Sequence, residues 1–232
     1  MENVERASAY DLAATAALLA EPARVAMLFS LMDGEARPAT ELAQVARVSP
    51  STASAHLASL VRGGLVQVER LGRHRYHRLA GDRAARVIES LSLLTPPPRP
   101  SSSDSPERLA FRRARTCYRH LAGRLGVGLV DAMLDQRLMG RRDRTFTLTP
   151  AGRRFASELE LLEPESAALT GTPCLDWSER RDHMAGPLGV ALTKGLLERG
   201  WVRPRSGTRS LRVTVEGARR FRDALGMAVE IG

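Results

Sequence analysis

At 232 residues and 43% apolar content, the chain is long enough for one or two domains with ordinary buried cores and is not a disordered sequence. No apolar run reaches membrane-spanning length, the acidic start MENVERASAYDLA lacks a signal-peptide pattern, and two cysteines are too few for a disulfide scaffold, so a cytoplasmic protein is expected. The formal net charge of +9, borne by arginine with Lys194 as the single lysine, favours an anionic partner, nucleic acid foremost.

Residues 7–20 are rich in alanine and leucine and read as a helix. PARVAMLFSLMD, 22–33, places proline at a helix start and apolar groups at helical spacing. Thr40 opens a short capped helix, ELAQVA. Ser49-Pro50 is a strong start signal for a further helix over 51–64, with Gly63-Gly64 as its stop. LVQVERLGRHRYHRLA then reads as a β-hairpin turning at Gly72. DRAARVIESLSLL, 82–94, is an amphipathic helix carrying Val87, Ile88, Leu91 and Leu94 on one face. TPPPRPSSSDSPE, 95–107, is a proline- and serine-rich linker. The predicted organisation is therefore a DNA-binding and dimerisation domain over 1–94, the linker, and a second domain over 108–232.

Helix, tight turn, helix and basic hairpin is the winged helix-turn-helix plan. A recognition helix needs small polar side chains at its N-terminal end, and Ser49, Ser51, Thr52, Ser54 and His56 stand there. Leu57, Leu60 and Val61 form its inward face. The wing should grip phosphates, and Arg70, Arg73, His74, Arg75 and Arg78 follow one another after Glu69 without a carboxylate.

LLAEPARVAML, ATELAQVARVSPSTASAHLASLVRGGLV and LGRHRYHRLAG resemble the ArsR/SmtB group of bacterial winged-helix repressors over residues 12–94. The resemblance implies a homodimer built from the first and last helices of this domain, and operator binding that an effector releases. Two of the group's metal sites are not carried over. Leu42 to Ala46 offer no thiol, and the closing helix has Asp82 and Glu89 but no histidine. Ala55 stands where many relatives carry a longer polar side chain, so readout is expected to lean on DNA shape.

The second half is written twice. HLAGRLGVGL from His120 recurs as HMAGPLGVAL from His183, with three single-residue differences. Each copy is expected to run as a helix through this segment to Leu134 or Leu197. An arginine-rich connection, a strand ending in Thr-x-x-Gly and a final helix then follow, giving repeats of about 108–163 and 174–230. The fold class expected is thus mainly α with small β-hairpins, a winged helix followed by two helix/wing-like repeats. The interior glycines 123, 126, 186 and 189 cost about 1 kcal/mol each against alanine. Either they allow close packing about a pseudo-dyad, or Gly126 and Gly189 break the helix, as in a degenerate winged helix aligned on ELAQVARV.

Several uses of this half stay open. Cys117, one helical turn before His120, with Cys174 and His183, could close a tetrahedral site for zinc or a metalloid. The same groups could be structural, with the histidines bonded across the pseudo-dyad. Either cysteine could be a redox sensor activated by Arg115, Arg119, Arg180 or Arg181. Tyr118, Trp177 and Arg180 could line a pocket for an anionic or aromatic effector. Arg141, Arg142, Arg144, Arg203, Arg205 and Arg209 could add DNA contacts. The function expected is a sequence-specific, homodimeric repressor of double-stranded operator DNA, released by a metal, a thiol oxidant or a small molecule. A nonspecific architectural DNA-binding protein is the alternative. An enzyme built on Cys174, His183 and Asp176 or Asp182 lacks an oxyanion loop or paired catalytic carboxylates and is not expected.

Overall fold

The computed structural model describes residues 2–96 and 105–232, so most of the expected linker, 97–104, lies outside the described residues. The chain forms two compact units, Met1–Leu91 and Ser92–Gly232. No single helix among the described residues is long and apolar enough to cross a membrane.

In the first unit, α1 (Glu2–Leu18) and α2 (Pro22–Ser30) precede a short strand, β1 (Arg37–Pro38), and α3 (Ala39–Ala46). The helix α3 starts one residue before the expected Thr40, on an extended Pro38 that makes no side-chain cap. It ends at Arg47 in the left-handed region (φ 55°), and the chain turns directly into α4 (Pro50–Arg62). There the signal read from sequence is realised: Ser49 Oγ accepts the Thr52 N–H at 3.2 Å, and proline occupies the first turn. The hairpin β2 (Val66–Leu71) and β3 (His74–Leu79) pairs in register from Val66↔Leu79 to Leu71↔His74, and β1 adds to the β3 edge. Gly72 supplies the turn with φ 59°. Helix α5 (Gly81–Ser92) follows. Met27, Leu28, Leu31, Leu42, Ala53, Leu57, Leu60 and Leu79 form the core, which fixes α3 and α4 against the hairpin. Arg37 locks β1 to the turn that follows α2 through two bonds to Asp33, at 2.9 and 2.7 Å.

The second unit opens with α6 (Pro106–Arg113) and then presents one pattern twice. The first copy is β4 (Arg115–Cys117), β5 (His120–Ala122), α7 (Gly123–Asp135), β6 (Met139–Arg142), β7 (Thr145–Leu148) and α8 (Pro150–Glu158). After a 3₁₀ turn over Pro164–Ala168 comes the second: β8 (Thr170–Leu175), β9 (Asp182–Ala185), α9 (Gly186–Glu198), β10 (Val202–Pro204), β11 (Leu211–Val213) and α10 (Val215–Leu225). In each, the threonine of Thr-x-x-Gly caps the last helix. Thr149 Oγ1 accepts from Gly152 N at 3.0 Å, and Thr214 Oγ1 from Gly217 N at 2.9 Å.

One expectation is corrected. The repeated decapeptide is not helical throughout, because His-Leu-Ala and His-Met-Ala are strand. The helices begin only at Gly123 and Gly186, whose φ of 74° and 76° lie in the left-handed region. An alignment with the wholly helical ELAQVA therefore fails at its first three residues. Gly126 and Gly189 do not break the helix either. They let α7 and α9 lie on the strands just before them, where an added Cβ would sit 2.6 Å from Leu121 O or 2.1 Å from Met184 O.

The copies embrace reciprocally. Strand β7 of the first pairs with β8 of the second, through Phe146↔Gly171 and Thr147↔Thr170. Strand β4 of the first meets the β11 end of the second through Leu211 N–H to Ala114 O and Thr116 N–H to Arg209 O, both 2.9 Å. One core runs through both copies, including Leu125, Leu129, Met133 and Phe146 from the first and Leu188, Leu192, Trp201 and Phe221 from the second.

Candidate nucleic-acid interface and a Cys2His2 cluster

Helix α4 turns Ala53, Leu57 and Leu60 inward and leaves Ser49, Ser51, Thr52 and Ser54 exposed, with His56 half-buried. The three hydroxyls at its start bond one another: Ser49 Oγ lies 2.9 Å from Ser51 Oγ and 2.8 Å from Thr52 Oγ1. Ser54 Oγ donates to Pro50 O at 2.9 Å, which leaves its lone pairs outward. On the hairpin, Arg70, Arg73, His74 and Arg75 are all exposed. Arg78 is not a free wing cation, since it pairs with Glu69 at 2.6 Å and donates to Gly34 O. A groove of about 510 Å³ runs between α4 and the hairpin, and Ser54, Ala58, Arg62 and Arg75 all line it. The polar face of α4 and the arginine-bearing wing thus open on the same side, the arrangement needed to read a groove and hold its phosphates together.

In the second unit the strands, not a helix face, bring cysteine to histidine. Cys117 is opposite His120 in the β4–β5 pairing, and Cys174 is opposite His183 in β8–β9. This corrects the expectation that Cys117 and His120 sit one helical turn apart. The reciprocal packing then joins the two pairs. His120 Nε2 and His183 Nε2 are 3.0 Å apart, their rings stack at 5.0 Å, and one ligand atom from each of the four residues lies within 4.8 Å of the others. Both imidazoles are buried and both cysteines half-buried.

Asp176, on the loop that the second copy inserts between its strands, organises this centre. Its Oδ1 accepts from Arg115 Nη2 at 2.7 Å, Ser178 Oγ at 2.8 Å and Ser178 N at 2.9 Å, and its Oδ2 from Gly123 N at 2.8 Å. His183 Nδ1 lies 3.3 Å from Oδ2. Burial opposes the Asp176 charge, but His183 and Arg115 hold its carboxyl well below the usual carboxylate range. Burial likewise works against a charged His183, and Asp176 and Cys117 outweigh it, raising its pKa. Reading the sequence did not single out Asp176 for this role. The signal was present, because Asp followed two residues later by Ser is an Asx-turn pattern.

The residues expected to line an effector pocket stand in three different settings. Trp177 is buried beneath the Arg115 guanidinium, 5.2 Å from its ring centre. Tyr118 is half-exposed at the β4–β5 turn, and Arg180 donates to the carbonyls of Ser92 and Thr95. A cavity of about 290 Å³ lies elsewhere, lined by Arg113, Arg124, Leu125, Val213, Met227 and Val229 among others. Arg142, Arg144 and Arg203 are exposed on the repeat hairpins, whereas Arg141 is paired with Asp182 at 2.8 Å.

The helix-turn-helix domain family matches residues 19–69. Over 223 residues the chain is 40% identical to the uncharacterized HTH-type transcriptional regulator YdfF of Bacillus subtilis, covering 94% of this chain and 99% of that protein. Among solved structures it is similar to the homodimeric winged helix-turn-helix DNA-binding domain of Mb0332 from Mycobacterium bovis, a possible ArsR-family regulator. That match is 30% identical, covers 39% of this chain and 82% of that one, and has a TM-score of 0.36. NolR from Sinorhizobium fredii is 27% identical over 39% of this chain and 89% of its own, with the same TM-score. With the interface and the Bacillus subtilis relative in hand, the chain belongs to the HTH-type transcriptional regulators.

Proposed function

We propose that the protein is a homodimeric repressor that reads an operator with α4, grips its backbone with the β2–β3 wing, and leaves the DNA when the C-terminal unit takes up an effector. The observation that carries the DNA-contact reading is the shared side of α4 and the wing, with Ser54 and Arg75 lining one groove. In this reading Ser49, Ser51, Thr52, Ser54 and His56 face the base edges, and Arg70, Arg73, His74 and Arg75 the phosphates. Dimerisation is supported by apolar side chains left uncovered on the first and last helices of the unit: Tyr10 and Leu12 on α1, Val87 and Leu91 on α5. In this reading the role is regulatory: Cys174 and His183 face Cys117 and His120, and Asp176 accepts from Arg115, Ser178 and Gly123.

Fluorescence anisotropy on DNA from the gene's own promoter and on random duplex, across a salt series, tests this reading. A specific regulator binds the promoter about 10³-fold or more tighter than random DNA at physiological salt. Equal affinity for both would leave only a nonspecific architectural protein.

A further inference from the structure

We propose that Cys117, His120, Cys174 and His183 are the four ligands of a single thiophilic cation, with zinc(II) as the reference ion, held tetrahedrally between the two repeats. The proposal rests on the effector-sensing reading above and names the chemistry of that effector.

Geometry is the first argument. Zinc–nitrogen bonds of about 2.0–2.1 Å and zinc–sulfur bonds of about 2.3 Å place tetrahedral ligand pairs roughly 3.3 Å (N···N) to 3.8 Å (S···S) apart. The two Nε2 atoms stand at 3.0 Å, and all four ligand atoms fall within 4.8 Å. The second argument is the contact between the imidazoles. Two ring nitrogens 3.0 Å apart repel unless one presents a hydrogen and the other a lone pair. A cation placed between the two rings would instead satisfy both lone pairs and both sulfurs. The third is the support behind the ligands. Asp176 Oδ2 stands 3.3 Å behind Nδ1 of His183, too poorly aligned to count as a hydrogen bond here, while Nε2 of that ring faces His120; a small shift would complete the carboxylate–histidine support that orients metal ligands. Arg115 and the Gly123 N–H in turn hold Asp176. The donor set itself selects: two thiolates and two imidazoles favour zinc or copper(I) and disfavour the oxygen-seeking magnesium and calcium. Finally, each repeat contributes one cysteine and one histidine, so only the packed pair of repeats completes the site.

The test uses full-length, untagged protein, reduced and stripped by chelator, then titrated with zinc, or with cobalt(II) as the spectroscopic probe. One ion per chain is expected by metal analysis. Cobalt should give the strong red bands of a tetrahedral site and near-ultraviolet thiolate charge transfer. Cys117→Ser/Cys174→Ser should lose the charge transfer with its circular dichroism unchanged. If that variant fails to fold, His120→Cys carries the test, since a Cys3His set still binds zinc and must strengthen the charge transfer. Asp176→Asn should weaken zinc binding by about 10- to 100-fold while the cobalt spectrum keeps its tetrahedral form. The assignment is overturned if the parent retains no ion, if cobalt shows no thiolate bands, if the serine pair gives the parent's spectrum, or if Cys117 and Cys174 form a disulfide with zinc present. Promoter binding with and without zinc separates the two claims. An ion held with the expected spectrum but without effect on promoter affinity keeps the site and removes its role as effector. Loss of specific promoter binding in every metal state removes the regulator reading and leaves the site standing.

Discussion

Asp176→Asn puts a number on the centre of the C-terminal unit. Asp176 and Arg115 form an ion pair at 2.7 Å with side chains 0% and 1% exposed. Asparagine keeps the volume but removes the charge, so the Arg115 guanidinium stays buried without its counter-ion. The new NH2 group also points a donor at a neighbouring donor, either the Gly123 N–H or the Arg115 and Ser178 N–H groups. Stranding one member of a buried pair costs about 3–5 kcal/mol, a large share of the roughly 5–15 kcal/mol that stabilises a domain. At about 2–4 °C per kcal/mol for units of this size, the melting transition should fall by roughly 10 °C. Calorimetry and urea unfolding, both with chelator present so that metal plays no part, give the two readouts. A cycle with Arg115→Met sharpens the result. Removing the stranded charge should make the double variant more stable than the sum of the singles, by about 1 kcal/mol or more. A loss below about 0.5 kcal/mol for Asp176→Asn, or strict additivity in the cycle, would refute the claim that this pair holds the loop in place.

Arg73→Ala with Arg75→Ala should weaken binding to promoter and random DNA alike, and lower the salt slope by about one unit per arginine lost on each wing; an unchanged slope would remove the wing from the interface. Ser54→Ala and His56→Ala should each cost about 1–3 kcal/mol on the promoter and far less on random duplex, and equal losses on both would dismiss α4 as the reading element. Gly189→Ala should destabilise the chain by about 1–3 kcal/mol despite its gain in helix propensity, because the Cβ meets a backbone carbonyl, Met184 O. Gly128→Ala in the equivalent helix should instead stabilise it by up to about 1 kcal/mol, since only the flexible tip of Met227 must move and the second copy already carries Ala191 there. Urea denaturation distinguishes both signs.

The order of elements in the first unit was legible, with helix ends off by one to five residues. Ser49-Pro50, Gly72 and the periodicity of α2 and α4 encode caps, turns and faces within a few positions, and that is where the structure places them. The duplication was legible too, as a repeat 63 residues apart. What the linear pattern could not show was that His120-Leu-Ala and its copy are strand. Three residues are too few to display a period, and only pairing with β4 and β8 distinguishes them from the first turn of the helix that follows. The same holds for the cluster. Sequence supplied two cysteines and two histidines, but cross-strand register sets each cysteine opposite its histidine. Packing of one repeat on the other then brings Nε2 to Nε2, and a loop present in only one copy delivers Asp176 behind His183. Local chemistry is written in neighbours. Convergence of residues 63 apart depends on which buried faces fit together, a property of the packed pair that neither copy carries alone.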